Sequence, residues 1–354
     1  MIKYIGSKRV LVPAITALVQ ALPDVHTVLD LLSGTSRVGH ALKRAGYAVT
    51  ANDHTSYAYT LARCYVQADA DALLPETLRV LDALARVEPR DGWFTETYCR
   101  RSRYFHPKNG ARIEAMREAI DTWGLDGDLR SVVLTALMEA ADRVDSTVGL
   151  QMAYLKAWAP RAHNDLELRV PEVLPGPGLA TQLEALDAAK EHSADLVYLD
   201  PPYNQHRYLA NYHVWETLVR WDQPEVYGVA CKRIDCKDYH SSFNSKREIH
   251  AAMRTVVEAA QARYLLVSFN NEGYITRREM EILLAEHGHV RVLTRDHDRY
   301  VGARIGIYNP DGDKVGKISH VRNKEYLYLV GREENVLDQA IEAVAAPATQ
   351  PTLF

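Results

Sequence analysis

Apolar and polar positions along the chain change period twice. The run "HTVLDLLSG" (26–34) is apolar and ends in turn residues, the pattern of a buried strand. "SRVGHALKRAG" (36–46) sets apolar residues at helical spacing and closes on Gly46, a helix stop signal. "YAVTAND" (47–53) predicts a second strand, and the three segments together predict a strand–helix–strand unit with parallel strands. From about residue 66 to 178 helical periodicity takes over, in "LPETLRVLDALARV", "ARIEAMREAIDTW" and "LRSVVLTALMEAADRV". It ends at a Pro/Gly hinge, "VPEVLPGPG" (170–178). Short strands then resume in "GLATQLEA", "ADLVYLD", "RYLLVSFN" and "HVRVLTRDH", and "IGIYNPDGDKVGKIS" predicts a hairpin turning on "NPDGD". "EAVAAPATQPTLF" has the composition of a weakly structured tail. The organisation expected is an α/β unit from 1–65 and 179–331, a mostly helical insertion over 66–178, and a tail over 332–354. No internal repeat is evident.

Composition narrows the class without deciding the function. At 47% hydrophobic and 25% charged residues the 354-residue chain matches an ordinary globular protein. No apolar run approaches the roughly 20 residues a membrane span needs. The first residues, "MIKYIGSKRVLVPAI", lack an apolar signal core, so the location expected is the cytoplasm. Cys64, Cys99, Cys231 and Cys236 are scattered and form no CxxC pair, which argues against a structural metal site and against a disulfide framework. The net charge of −4 does not advertise a nucleic-acid binder, but its distribution is uneven. "CRRSRYFHPKNGARIEAMR" (99–117) carries six Lys/Arg against one acid, and 291–332 is basic as well.

The loop "DLLSGTSRVG" (30–39) follows a strand and opens a helix. Gly34 and Gly39 are five apart, but a phosphate-cradling loop would continue with Lys and Ser or Thr, and His40 and Ala41 follow instead. A dinucleotide fingerprint would need a middle glycine where Ser36 stands. What remains is a tight turn that lets a ligand approach backbone amides. Asp53, 23 residues past Asp30, ends the second strand, where an acid can bond both hydroxyls of a ribose. The pair suits a nucleoside without a pyrophosphate, such as S-adenosylmethionine, with Asp30 meeting its ammonium directly or through water.

At 198–204 the chain reads "YLDPPYN". Asp200 would emerge at the carboxyl edge of a sheet, where open α/β sheets bind ligands. Pro201 and Pro202 fix φ and restrict the backbone. The Asp200 carboxylate and the Pro201 carbonyl can accept both hydrogens of an exocyclic amine, aiming its lone pair at an electrophilic methyl. Tyr203 supplies a face on which a base can stack. A base held this way has to leave the duplex. The chemistry is methyl transfer to an amino group, with Asp200 positioning and polarising more than abstracting a proton.

With these motifs in place the chain resembles the adenine-specific DNA methyltransferases of the Dam-like α motif order. "KYIGSK" supplies the aromatic-x-Gly-x-Lys box with Tyr4, Gly6 and Lys8; the cofactor loop, the insertion and the Asp-Pro-Pro-Tyr box follow in family order. Further stretches, among them "DRVDSTVGLQMAYLKAWAPRA", "SFNNEG" and "YVGARIGIYNPDGDKVGKISHVRNKEYLYLV", extend the resemblance over roughly 1–331. It implies a Rossmann-like S-adenosylmethionine-dependent methyltransferase sheet with a helical target-recognition insertion. It also implies that Tyr4, Lys8, Asp30, Ser33, Gly34 and Asp53 surround S-adenosylmethionine, and that Asp200, Pro201, Pro202 and Tyr203 hold the flipped base. An acid near the cofactor's adenine is expected at Glu184, with Asp187 as the alternative. The family's loop often reads Gly-Thr-Gly; Ser36 departs from it and puts the backbone's approach to the cofactor in question.

Competing functions stay open at this level. N4-cytosine methylation presents the same two donors, although such enzymes more often carry Ser-Pro-Pro-Tyr. RNA or protein methylation commonly uses a box starting with Asn. A silent DNA-binding module would not need both motifs intact. Double-stranded DNA is the expected partner, gripped by Arg100, Arg101, Arg103 and Lys108 in the insertion. In "KRIDCKDYHSSFNSKRE" (232–248), Lys232, Arg233, Lys237, Asn244, Lys246 and Arg247 suit phosphates and base edges. A cognate restriction endonuclease is a candidate partner in such systems. The last residues, "QPTLF", resemble the Gln-x-x-Leu-Phe peptide by which bacterial DNA enzymes dock on the replication sliding clamp, with Gln350, Leu353 and Phe354 as anchors.

Overall fold

Each apolar run ends up between two layers of helices because its alternate side chains find different partners. The computed structural model describes residues 1–298, 307–308, 314–316 and 322–345. Its strands are β1 (Thr27–Asp30), β2 (Ala48–Asn52), β3 (Leu179–Thr181), β4 (Ala194–Leu199), β5 (Val226–Tyr227), β6 (Lys232–Arg233), β7 (Ala262–Asn270), β8 (His289–Asp298), β9 (Ile307–Tyr308), β10 (Lys314–Gly316) and β11 (Arg322–Gly331). Among the described residues seven of them form one sheet in the order β3-β2-β1-β4-β7-β11-β8. The first five run parallel, and β11 lies antiparallel between β7 and β8. Val28, Leu196, Tyr198, Leu266 and Leu327 face one core, with the helices Val12–Ala21, Arg37–Arg44 and Glu334–Ala345. Leu29, Val197, Leu199, Val267 and Tyr328 face the other, with the helices Ala185–Glu191, Ile249–Ala259 and Arg277–Ala285. Two buried faces explain why these strands read as apolar runs rather than alternations.

The expected strand–helix–strand unit forms, with β1 and β2 parallel and Gly46 at φ +96° just past the helix Arg37–Arg44. The hairpin expected over 305–319 appears as the antiparallel pair β9 and β10; its turn lies outside the described residues. One expectation is corrected. The segment 332–354 does not begin as a tail: Glu334–Ala345 is a helix whose Leu337 and Ala340 are fully buried against the sheet. Its Val336, Leu337, Ala340, Ile341 and Val344 recur at helical spacing, and Arg291 of β8 pairs with Glu334 and Asp338.

The helices Ala70–Ala85, Pro107–Thr122 and Gly127–Arg143 share a third core with Tyr57, Leu61, Val214, Trp215 and Leu218, which lie outside 66–178. The helical segment is therefore packed into the α/β unit rather than closed on itself. Two buried ions tie the parts together. Arg117 donates to the carbonyls of Leu218 and Val219, at the end of the helix His213–Arg220 whose last carbonyls lack intrahelical partners. Glu216 accepts from the amides of Ser56 and Tyr57, which open the helix Ser56–Ala62. No helix among the described residues is long and apolar enough to cross a membrane.

Candidate active site

The strand order reverses between β1 and β4, so their carboxyl ends part and leave a crevice. The loop after β1 is shaped by one glycine. Gly34 has φ +51°, a Cβ there would come within 3.3 Å of the Tyr4 ring, and its amide donates to Asp53 Oδ2 at 3.1 Å. Left-handed backbone and close approach together favour glycine here, since any side chain would be strained and would have to push the Tyr4 ring aside. Ser36, in the place of the family's second glycine, also takes a left-handed conformation (φ 55°) and is fully buried. The amide of Ser33 donates to the Asn52 carbonyl. Asn52 in turn donates to the carbonyls of Leu31 and Leu183, joining three loops at the sheet edge.

Asp30 ends β1 with one carboxylate oxygen accepting the Gly39 amide at 3.0 Å; the other, Oδ1, is buried without a partner. Burial pushes its pKa up to about 7, against the Gly39 hydrogen bond and with help from the charges of Asp200 and Asp53. Asp53 accepts from Gly34 and, through Oδ1, from the amide and hydroxyl of Thr55. Asp30, Ser33, Gly34, Asp53, Glu184 and Asp200 border a cleft of about 940 Å³. At its mouth the rings of His54 and Tyr239 stack with centroids 4.6 Å apart.

A second recess, of about 1710 Å³, opens on the other side of Lys8 and is lined by Tyr203, Asn270, Glu272, Glu325, His206 and Val148. Tyr4, Gly6, Ser7, Lys8 and Tyr208 border both spaces. Tyr4 anchors this shared wall: its ring stacks on Tyr212 (4.5 Å) and Tyr208 (5.2 Å), and its hydroxyl lies 3.1 Å from that of Tyr57. Lys8 Nζ lies 3.0 Å from Asp200 and 3.8 Å from Glu325. Burial works against the Lys8 charge, but Asp200, Tyr203 and Glu325 hold its pKa well above the usual value. Asp200 is pushed up to about 6 by burial, with Lys8 opposing and Glu325 adding. The Tyr203 hydroxyl accepts from Asn270 Nδ2 at 2.8 Å, and its ring packs on Phe269. A half-buried carboxylate thus lines the nucleoside-type cleft and pairs with Lys8, which also borders the recess faced by the Tyr203 ring.

A family model described as D12 class N6 adenine-specific DNA methyltransferase matches residues 4–281. The chain belongs to this family. It is 30% identical to the Type II methyltransferase M.FokI of Planomicrobium okeanokoites, over 81% of this chain and 47% of the relative. It is 28% identical to M.NlaIII of Neisseria lactamica (85% and 88% covered) and 29% identical to M.CviAII of Paramecium bursaria Chlorella virus 1 (94% and 99%). The chain spans about half the length of M.FokI and of the modification methylase StsI of Streptococcus sanguinis. The D12 family fits the two-recess geometry, and S-adenosylmethionine fits the cleft: the orphaned Asp30 Oδ1 matches a cation, and the bare Gly34 backbone matches close approach.

The family's motif residues converge. Tyr4, Lys8, Asp30, Ser33, Gly34, Asp53 and Glu184 all line the cleft, whereas Asp187 does not. Pro202 lines it too, Pro201 is buried beneath, and Tyr203 faces the second recess. The DNA-contact set is less uniform. Arg101, Lys246 and Arg247 are exposed. Arg100 is paired with Asp91 and Glu96, and Lys108 with Asp165. Arg103 lies over the Tyr154 ring and Lys237 over Tyr227, while Lys232 is half-buried. Arg233 is a correction: it is 1% exposed and forks between Asp222 and Asp235, so it braces the fold and cannot reach a phosphate. Asn244 also turns inward, donating to the carbonyls of Asn204 and His206. Gln350, Leu353 and Phe354 lie outside the described residues. Sequence reasoning missed Asn270 and Glu325, although an acid at a core-facing position of the β11 pattern was a readable signal.

Proposed function

We propose that this chain methylates the N6 amine of an adenine flipped out of double-stranded DNA, with S-adenosylmethionine as donor. The observation that carries the reading is the place of Asp200, which lines the nucleoside-type cleft and pairs at 3.0 Å with Lys8, the cation that borders both this cleft and the recess faced by Tyr203. When bound, the cofactor supplies an electrophilic methyl. Asp30 receives its ammonium, Asp53 its ribose hydroxyls and Glu184 its adenine edge. Tyr203 stacks the extruded base while Asp200 and the Pro201 carbonyl accept from its amine, turning the lone pair toward the methyl.

Outside the recesses, the segment 66–178 and the loop 232–248 grip the duplex, with Arg101, Lys246 and Arg247 as the freest of the expected cations. The relatives' names as Type II methyltransferases and modification methylases support a role in restriction-modification, with a cognate endonuclease as partner. A cytoplasmic location goes with DNA as substrate. Docking of Gln350, Leu353 and Phe354 on a sliding clamp stays a separate proposal, read by titrating a labelled 345–354 peptide with a clamp.

The test of the central reading is Asp200→Ala. DNA methylation is expected to fall by several kcal/mol of barrier, while cofactor affinity stays within about threefold, on the order of 0.6 kcal/mol. Mass spectrometry of digested product DNA identifies the base. Wild-type turnover in the variant rules out the mechanism, and methylcytosine in place of N6-methyladenine moves the assignment to the N4 reaction.

A further inference from the structure

Glu325 is a buried carboxylate to which the motif residues assign no task. It stands in the first half of β11, opposite Asn270 in the register. Because β11 runs antiparallel to β7, its first half arrives at the same sheet edge as the ends of β4 and β7. The side chain is 10% exposed. Oε2 lies 3.8 Å from Lys8 Nζ and has no hydrogen-bond partner; Oε1 accepts from Asn270 Nδ2 at 3.4 Å. The same Asn270 amide donates to the Tyr203 hydroxyl. A continuous path therefore runs from Asp200 through Lys8, Glu325 and Asn270 to Tyr203. Two carboxylates share one ammonium in it, so the path is net negative when both are ionised.

We propose that Glu325 is a positioning residue for methyl transfer, fixing Lys8 beside Asp200 and Asn270 against Tyr203, and making the acceptor recess net negative. This rests on the methyltransferase reading above. The acceptor amine forms a bond to the methyl carbon while the carbon–sulfur bond breaks with its electron pair left on sulfur. Positive charge thus passes to the amine nitrogen, which then loses a proton to the Asp200 carboxylate and on to water. Glu325 exchanges neither proton nor methyl. Its charge stabilises the nitrogen as the positive charge arrives, the kind of fixed-field effect that needs no rearrangement during reaction.

The groups facing this path are Lys8 from the N-terminal segment, Tyr198 from β4, Asp200, Tyr203 and Tyr208 from the segment after it, Glu272 after β7, and Asp30 at the end of β1. Glu325 raises the pKa of Asp200. Neutralising it should lower that pKa, so the acid limb of the pH profile has a direction that mere loss of packing would not produce.

The experiment measures kcat and kcat/KM between pH 5 and 9, cofactor affinity and melting temperature for wild type, Glu325→Gln and Glu325→Asp. For Glu325→Gln we expect kcat to drop at least about tenfold, with cofactor affinity unchanged and the acid limb displaced to lower pH. Glu325→Asp, which keeps the charge on a shorter stem, should leave the limb in place and recover part of kcat. If Glu325→Gln is active at wild-type kcat, or loses activity only together with melting temperature while the limb stays put, the role is structural and the proposal is overturned. Should Glu325→Gln fail to fold, a displaced limb in Glu325→Asp overturns it equally. A wild-type enzyme that methylates no DNA removes the underlying reading, whereas an active wild type with an unmoved variant removes only Glu325.

Discussion

Replacing Lys8 by methionine keeps the stem length and removes the ammonium 3.0 Å from Asp200. At an effective dielectric near 20, unit charges at that separation attract by roughly 5 kcal/mol. Solvent screening at the 20% exposed carboxylate reduces this to about 1–3 kcal/mol, or about one to two pH units on Asp200. Lys8 opposes the rise of Asp200, so its loss sends that pKa further up from about 6. Only the ionised carboxylate accepts from the target amine, so activity is lost as the pH falls through the folded pKa. In kcat/KM profiles, which report the free enzyme, the wild-type acid limb should lie near 6 and the variant's above 7. The deficit is then about tenfold at pH 6 and closes to less than about twofold near pH 8.5. A deficit of constant size across the range refutes the coupling. A cofactor affinity lowered more than about tenfold with an unmoved limb would make Lys8 a cofactor contact and not the partner of Asp200.

Arg233→Ala should destabilise the fold by about 2–4 kcal/mol, read from denaturant midpoints, because it removes the buried guanidinium between Asp222 and Asp235 and leaves only the exposed Arg220 to pair with them; unchanged stability with weaker DNA binding would return it to the interface. Neutralising Arg100, Arg101, Arg103 and Lys108 together should weaken binding to all sequences alike and flatten the salt dependence, with an unchanged slope removing the segment from the DNA. Ser36→Gly relieves a left-handed conformation that costs roughly 1–2 kcal/mol in an L-residue, partly offset by glycine's greater chain entropy, so a melting temperature equal to or slightly above wild type is expected; a clear loss would show that the Ser36 side chain contributes more than its backbone costs.

What was readable in the chain was local. The strand at 26–34, the helix ending at Gly46 and the Asp200 box each carry their signal within about ten residues, and each forms as expected. Relations between distant segments were not readable. Nothing in "KRIDCKDYHSS" shows that Arg233 has Asp222 eleven residues upstream as its partner, so a buried brace reads like a phosphate contact. The Ala/Pro composition after residue 345 drew the tail boundary too early and hid the helix Glu334–Ala345, whose stability comes from packing on the sheet. Glu325 reaches the site only because β11 is inserted antiparallel between β7 and β8, a topological fact that no window of sequence contains.

On the proposed placement of the cofactor, the unpaired oxygen of Asp30 would make cofactor binding a proton-linked event. Burial raises its pKa to about 7 in the free protein, with Asp200 and Asp53 adding and the Gly39 amide opposing. For an acid with a raised folded pKa the neutral form is favoured by folding. Its stabilising contribution is therefore full below about 4 and is lost as the pH rises through 7. A cation placed against Oδ1 reverses this preference by favouring the carboxylate. Binding should thus expel the proton wherever Asp30 holds one. At pH 6.5 a group titrating near 7 is about three-quarters protonated, while an α-amino group of the ligand, titrating near 7.7–8.0, is fully charged and contributes little. Release of roughly 0.7 proton per site is expected with S-adenosylhomocysteine as the probe, read from titration calorimetry in buffers of different ionisation enthalpy. Affinity should fall about fivefold between pH 7 and pH 6 and level off above 8. Asp30→Asn should abolish the release and flatten the pH dependence. Heats that do not depend on the buffer at pH 6.5 in the wild type would mean that the Asp30 carboxylate does not meet the ligand's charge, and the cleft would need a different orientation for the nucleoside it holds.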